Sequence, residues 1–473
     1  MSDSIVRQKK LLKNTAWFTV GTVFSKIITF LLVPLYTNIL TVEQYSIADL
    51  LTTTVSLAIP FFSLIITEAV LRFVLDKKNN KKQVFTIGIV ITAVGGVILA
   101  IISFFIFKNI SVIKLYWGYF IVIYFMTAIN TLESEFLKGL EEVRLLAEIG
   151  ILQTLSLVIS NIVLLVTMKC EIMGYLAAYI ISYGIANICY FFGGKLYKYI
   201  TSPCKIDRNL IREMLQYSVP MIPNSAMWWI TNSSDRYLVS YMVSVAANGI
   251  MSVSYKIPSI LSIVISVFMS AWQISVVDEF NTREGKKFFN SIYKKFVVAS
   301  LIFTSLLIIF SELFATFMYA KEFFSAWKYS AILLLGFNFH AIAGFLGTAF
   351  TSAKNTKPLF FSTFLAAITN ICLNVVLIKS IETIGAVLAT VISYFLTYIV
   401  RRVLVKKYVR IKWEWSIIAG YGLVMIQLTA ILTLSVKLRY FVCIFAFFII
   451  LILNLKFVVQ IINSIKIVIT KNR

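Results

Sequence analysis

Four basic residues of this 473-residue chain, Lys26, Arg72, Arg236 and Lys256, stand inside stretches that are otherwise strongly apolar. Three carboxylates accompany them. Glu68 lies one helical turn before Arg72, Asp235 adjoins Arg236, and Asp49 stands in the segment leading to Glu68. A cation held away from water is costly unless an anion faces it. The chemistry open to this set is charge compensation: the cations can receive a phosphoryl or carboxylate ligand, and the carboxylates can form ion pairs or take up protons. Nucleophilic and metal chemistry find little support. The one histidine, His340, has no Asp or nucleophile near it in sequence. The five cysteines (Cys170, Cys189, Cys204, Cys372 and Cys443) show neither metal spacing nor a disulfide pattern.

The elements that must position these residues are membrane helices. The chain is 59% hydrophobic and 14% charged, with a mean hydropathy of +0.88, outside the usual range of soluble proteins. Apolar stretches of about 20 residues, enough to cross a bilayer core, recur along it. They lie at residues 14–40, 46–75, 84–107, 112–137, 149–168, 173–194, 214–240, 246–277, 296–320, 326–352, 358–378, 383–400, 413–436 and 438–460. The expected fold class is all-α, a polytopic membrane protein of about 14 transmembrane helices. The first stretch is too long for the apolar core of a signal peptide and lacks a small-residue cleavage site.

Lys and Arg concentrate in alternate loops, including Arg7 to Lys13, the KKNNKK run at 77–82, and residues 195–212, 283–295 and 401–412. The positive-inside rule then places both termini in the cytoplasm. The net charge of +23 is read as topological, and nucleic acid is not an expected partner.

The chain repeats itself. GYLAAYIISY (174–183) matches GAVLATVISY (385–394) at an offset of 211. TEAVLRFVLD (67–76) aligns with SAWQISVVDE (270–279), and YSIAD (45–49) with NGIMS (248–252), at an offset of 203. Six spans per repeat make the two halves parallel. The expected domains are a six-helix lobe over 1–205, a second over 206–410, and two additional helices with a short tail over 411–473.

Polar residues fall at helical spacing in four spans, the first two of each half. Span 1 carries Thr15, Thr19, Thr22, Lys26 and Thr29, and span 2 carries Asp49, Thr53, Ser56, Ser63 and Thr67. Span 7 carries Ser218, Ser225, Asn232 and Asp235; span 8 carries Asn248, Ser252, Ser259, Ser262, Ser266, Ser270 and Gln273. Such stripes serve either close helix packing or a polar cavity between the lobes. The cavity reading selects Lys26, Arg72, Arg236, Lys256, Asn232 and Gln273 as substrate-binding residues, with Glu68, Asp49 and Asp235 as coupling or ion-pairing groups. Competing local readings stay open: Arg72 as an interfacial anchor or a partner of Glu68, Lys256 snorkelling outward, Arg236 paired with Asp235. Trp228, Trp229, Tyr255 and Trp272 could stack on sugars or simply pack.

The stretches LLKNTAWFTVGTVFSKIITFLLVPLYTNILTVEQYSIADL and NSSDRYLVSYMVSVAANGIMSVSYKIPSILSIVISVFMSAWQISVVDEF resemble the Wzx-type O-antigen and capsular polysaccharide flippases. These are polysaccharide biosynthesis proteins of the MOP superfamily with a MATE-like fold. The resemblance implies two six-helix lobes around a cationic cavity and no enzymatic activity. It implies movement of undecaprenyl-diphosphate-linked oligosaccharides from the inner to the outer leaflet of the bacterial cytoplasmic membrane by alternating access. Its cavity cations would fall on Lys26, Arg72, Arg236 and Lys256, with a Lys where the first span more usually has Arg. The implied partners are the lipid-linked oligosaccharide, membrane lipids and the polysaccharide polymerase machinery. No cofactor is expected, and coupling is to the membrane potential, protons or sodium. The competing functions are a MATE-type multidrug antiporter, disfavoured by cations where drug cations would need carboxylates, a membrane acyltransferase using His340, and a noncatalytic scaffold.

Overall fold

The structure, a computed structural model, describes residues 21, 23–76, 78–107, 114–202, 206–277, 282–353 and 355–471, with the side chains of 271, 273–277 and 464–471 outside that description. The secondary structure of the described residues is helical, joined by short turns and without strands. Among the described residues eleven helices are long and apolar enough to span a membrane. Two others complete the set: α1 (Val23–Ile39) is apolar but shorter, and α9 (Ile222–Met242) is long but more polar. The chain forms two compact units that divide between Trp229 and Ile230.

The first unit runs through α2 (Val42–Phe62), α3 (Ile66–Leu75), α4 (Lys81–Phe107), α5 (Trp117–Gly139), α6 (Val143–Asn161), α7 (Glu171–Gly193) and α8 (Arg208–Ser218). Its core gathers Val70 and Val74 of α3, Phe85 of α4, Phe136 of α5 and Met214 of α8. The second unit contains α10 (Val245–Ser254), α11 (Lys256–Val277), α12 (Arg283–Met318), α13 (Ala326–Ser352), α14 (Lys357–Val405), α15 (Trp415–Thr433), α16 (Val436–Leu453) and α17 (Leu455–Lys471).

The repeat is visible in the backbone. Thr41 caps α2 by accepting the Gln44 N–H at 3.2 Å, and 203 residues later Ser244 caps α10 by accepting the Ala247 N–H at 3.0 Å. These hydroxyls satisfy amides that the first helical turn leaves open, so each helix begins where its cap stands. At the offset of 211, Glu171 (φ 47°) and Glu382 (φ 51°) both adopt the left-handed region. Gly174 and Gly385 follow each by three residues. The Glu382 turn breaks α14 into two spans, since a Cβ at Gly385 would come within 2.3 Å of the Leu377 carbonyl oxygen.

The equivalent second spans break at different levels. In the first unit the break falls at Ser63–Ile65, where Leu64 (φ 53°) and Ile65 (φ 51°) are both left-handed, a costly conformation for a β-branched residue. Pro60 upstream denies α2 one backbone donor. Gly95 of α4 passes so close that a Cβ there would lie 1.7 Å from Phe62 O. In the second unit the break is a single residue, Tyr255, between α10 and α11.

Two basic residues counted with the loop at 401–412 lie instead inside α14. Arg401 and Arg402 are 3% and 5% exposed, because neutral acceptors and aromatic rings there receive their guanidinium groups.

Candidate functional site

In the first unit the break at Ser63–Ile65 gives α3 its own ends. Glu68 sits in its first turn and Arg72 in its last, so each charge opposes the partial charge of its nearer helix terminus. The expected ion pair between them is absent among the described residues, and both side chains are exposed. Lys26 of α1 is likewise exposed. Beside it Ser25 reaches Gly150 O at 3.4 Å, and Thr29, its neighbour on the expected stripe, bonds back to Ser25 O at 2.9 Å. Thr15, Thr19 and Thr22 lie outside the described residues, as does Cys204. Asp49 is half-buried on α2.

The second unit brings three of the selected residues into one network. Asp235 is 2% exposed and accepts hydrogen bonds from the Tyr255 hydroxyl, from Thr390 Oγ1 at 3.3 Å and from the Arg236 N–H at 2.9 Å. Asn232, one turn earlier, accepts from the Tyr394 hydroxyl at 2.6 Å. The Arg236 guanidinium stands 5.4 Å from the Tyr255 ring centroid, a cation–π distance. Ser234 donates to Asn370 at 3.1 Å, and Asn374 donates to the same Asn370 oxygen at 3.0 Å. Lys256 follows Tyr255 directly and is half-buried. The side chain of Gln273 lies outside the described residues.

Much of each Ser/Thr stripe is turned to packing. Asn248 and Ser252 are buried and bonded to each other at 3.4 Å. Ser56, Ser63, Ser266 and Ser270 donate to carbonyls three or four residues back in their own helices, the usual way such hydroxyls are satisfied in apolar surroundings. The aromatic candidates are also engaged. Trp229 donates to Thr53 O at 3.2 Å, and Trp272 donates to Thr348 Oγ1 at 3.1 Å while stacking on Phe345. His340 packs against the Tyr394 ring, centroids 4.7 Å apart.

Sequence reasoning overlooked a polar interior in the first unit. A cleft of about 420 Å³ opens among α1, α5, α6 and α7, bordered by Ser25, Thr29, Glu135, Lys138, Gln153, Tyr179, Tyr183 and Tyr190. Behind it Asn130 of α5 donates to Asn187 of α7 at 2.9 Å, and Glu133, one turn on, is 4% exposed beside Tyr190. The signal was present: Thr127, Asn130, Glu133 and Ser134 recur at helical spacing inside the fourth span, ahead of its closing Gly139.

Residues 11–273 match the family described as polysaccharide biosynthesis protein, and the matched segment holds Lys26, Arg72, Arg236 and Lys256 and more than half of the chain. The chain belongs to that family. As a polysaccharide biosynthesis protein it is a multi-pass membrane protein with the fold shared by MurJ and MATE transporters. A solved structure of the lipid II flippase MurJ in an inward closed conformation superposes with a TM-score of 0.73 at 15% identity, over 94% of this chain and 99% of that one. An outward-facing multidrug resistance MATE family transporter of the MOP superfamily gives 0.60 at 12%, over 87% and 96%. The Vibrio cholerae MATE transporter VcmN in its bent form gives 0.52 at 13%, over 87% and 100%. At these identities the likeness is one of fold. No curated protein sequence matches the chain.

Proposed function

We propose that this protein is a flippase that carries undecaprenyl-diphosphate-linked oligosaccharide units from the inner to the outer leaflet of the bacterial cytoplasmic membrane by alternating access, serving O-antigen, capsule or exopolysaccharide synthesis. The observation that carries the reading is the family match across the segment that holds Lys26, Arg72, Arg236 and Lys256, in a fold shared with a lipid II flippase. A diphosphate cannot cross about 30 Å of hydrocarbon unaided. Cations within the spans offset the hydration it gives up. Lys26 and Arg72, both exposed, are the first-unit cations of the proposed site; Arg236 and Lys256 are those of the second unit. The roles of Asn232, Asp49 and Glu68 belong to the same proposal.

The load carries about two negative charges, each worth about 2.3 kcal/mol per 100 mV. Export is therefore driven by an inside-negative potential, with proton or sodium gradients as the rival drives. The test uses vesicles holding the purified protein and a short fluorescent undecaprenyl-diphosphate sugar, scored by its accessibility to an impermeant sugar-oxidising reagent. The wild type should equilibrate the probe between leaflets, Lys26→Ala should abolish this at equal incorporation, and Lys26→Arg should retain more than Ala. Vesicles that leave the probe unmoved but accumulate cationic drugs would replace this reading with multidrug antiport.

A further inference from the structure

We propose that the cleft inside the first unit is a proton-binding site whose acceptor is the carboxyl of Glu133. Glu133 Oε2 is buried and has no hydrogen-bond partner among the described residues. No ion pair to Glu133 forms among the described residues. Lys138, the nearest ammonium on its own helix, is held by Glu135 at 3.3 Å. From α3, Glu68 faces Glu135, and Arg72 is exposed. From α7 the facing titratable groups are the Tyr190 hydroxyl beside Glu133 and Tyr183 next to it.

A bare carboxylate taken out of water with neither cation nor donor is neutralised rather than buried as an ion. The protonated acid is uncharged and brings an O–H of its own to donate. The cleft has room for water, and its lining is rich in hydroxyl and amide groups that can hold it: Ser25, Thr29, Gln153 and Tyr179. Tyr190 lines the cleft and its hydroxyl lies within electrostatic range of Glu133, so the proposed proton route runs between cleft water and the carboxyl past that residue. The proton comes from water and returns to it, and no other bond changes. This assignment does not depend on which substrate the protein carries.

The test is carbodiimide labelling of the full-length protein in detergent, because dicyclohexylcarbodiimide adds to protonated carboxyls in apolar surroundings. Peptide mapping by mass spectrometry should find the adduct on Glu133. Its rate of formation should fall about tenfold for each unit of pH once the acid is mostly ionised. Glu133→Gln should lose that adduct and, with it, the infrared carbonyl band of a buried carboxylic acid that appears on acidification. An adduct confined to Glu135 or Glu68, or a Glu133 rate indifferent to pH, overturns the proposal. The wild-type pH series decides the matter even if the Gln variant does not fold.

Discussion

On α7 of the first unit, Tyr179, Ser182, Tyr183 and Tyr190 border the open cleft. At the matching positions of the second unit, 211 residues later on α14, stand Thr390, Ser393, Tyr394 and Arg401. Each of these is bonded inside its unit. Thr390 donates to Asp235, Ser393 to Ala389 O at 2.7 Å, Tyr394 to Asn232, and Arg401 to Ala343 O at 2.9 Å, Ser362 Oγ at 3.0 Å and Thr363 Oγ1 at 3.3 Å. The two buried carboxylates differ in the same way: both oxygens of Asp235 accept hydrogen bonds, whereas Glu133 Oε2 has no partner. A repeat thus fixes the backbone and the inward face of a helix. Whether the inward polar atoms meet protein or open space depends on a handful of opposing side chains.

The comparison can be broken first at its backbone. Gly385→Ala forces a Cβ to 2.3 Å from Leu377 O, while Gly174→Ala brings one to 3.2 Å from Leu164 O. The expected losses are about 3 kcal/mol or more for the former and about 1 kcal/mol for the latter. Thermal midpoints of the purified variants measure this, and equal midpoints would mean the two turns are interchangeable.

A smaller effect is expected at Asp235. Asp235→Ala strips the acceptor from the Tyr255 and Thr390 hydroxyls, costing about 2 kcal/mol for two buried donors. Asp235→Asn keeps an acceptor oxygen and should lose less. Denaturation in mixed micelles reads the difference, and matching losses for Ala and Asn would assign the cost to charge instead of hydrogen bonding.

The smallest expected effect sharpens the contrast. Glu133→Gln removes no bond from Oε2, so stability should change by no more than about 0.5 kcal/mol. A loss as large as that of Asp235→Ala would make the two carboxylates equivalent structural groups.

The helical spans and the repeat at offsets of 203 and 211 residues were legible in the sequence because hydrophobic run length and helical spacing are local signals; the same spacing marked Asn232 and Asp235 as polar positions, without their bonds to Tyr394, Tyr255 and Thr390. The break at Ser63–Ile65 was not. Pro60 hinted at a bend, but two left-handed aliphatic residues carry no compositional mark, and the close pass of Gly95 is a long-range contact. Glu68 and Arg72 stand four residues apart in the unbroken α3, yet both side chains are exposed and no ion pair joins them among the described residues. Arg401 and Arg402 were assigned to a loop by charge alone, and the acceptors that bury them, such as Ala343 O and the Tyr293 hydroxyl, lie 58 and 109 residues away. Glu133 was missed because two carboxylates, Glu133 and Glu135, near the end of an apolar span hardly alter its mean hydropathy.

The last two membrane helices, α15 and α16, are tied to α12 and α13 by buried polar bonds: Gln427 to Ser305 at 2.9 Å, the Tyr421 hydroxyl to Asn338 at 2.6 Å, and Arg439 to Glu312. These bonds set a schedule for biosynthesis. Arg439 emerges 127 residues after Glu312, roughly 6 to 25 s at ribosomal rates of about 5–20 residues per second. Throughout that interval the Glu312 carboxylate is in the membrane protein without its guanidinium. It lies within two turns of the end of α12 at Met318, near enough for the interfacial water to solvate it while the chain is still being made. A carboxylate whose partner is the last to arrive is tolerable at a helix end and would be costly at mid-membrane.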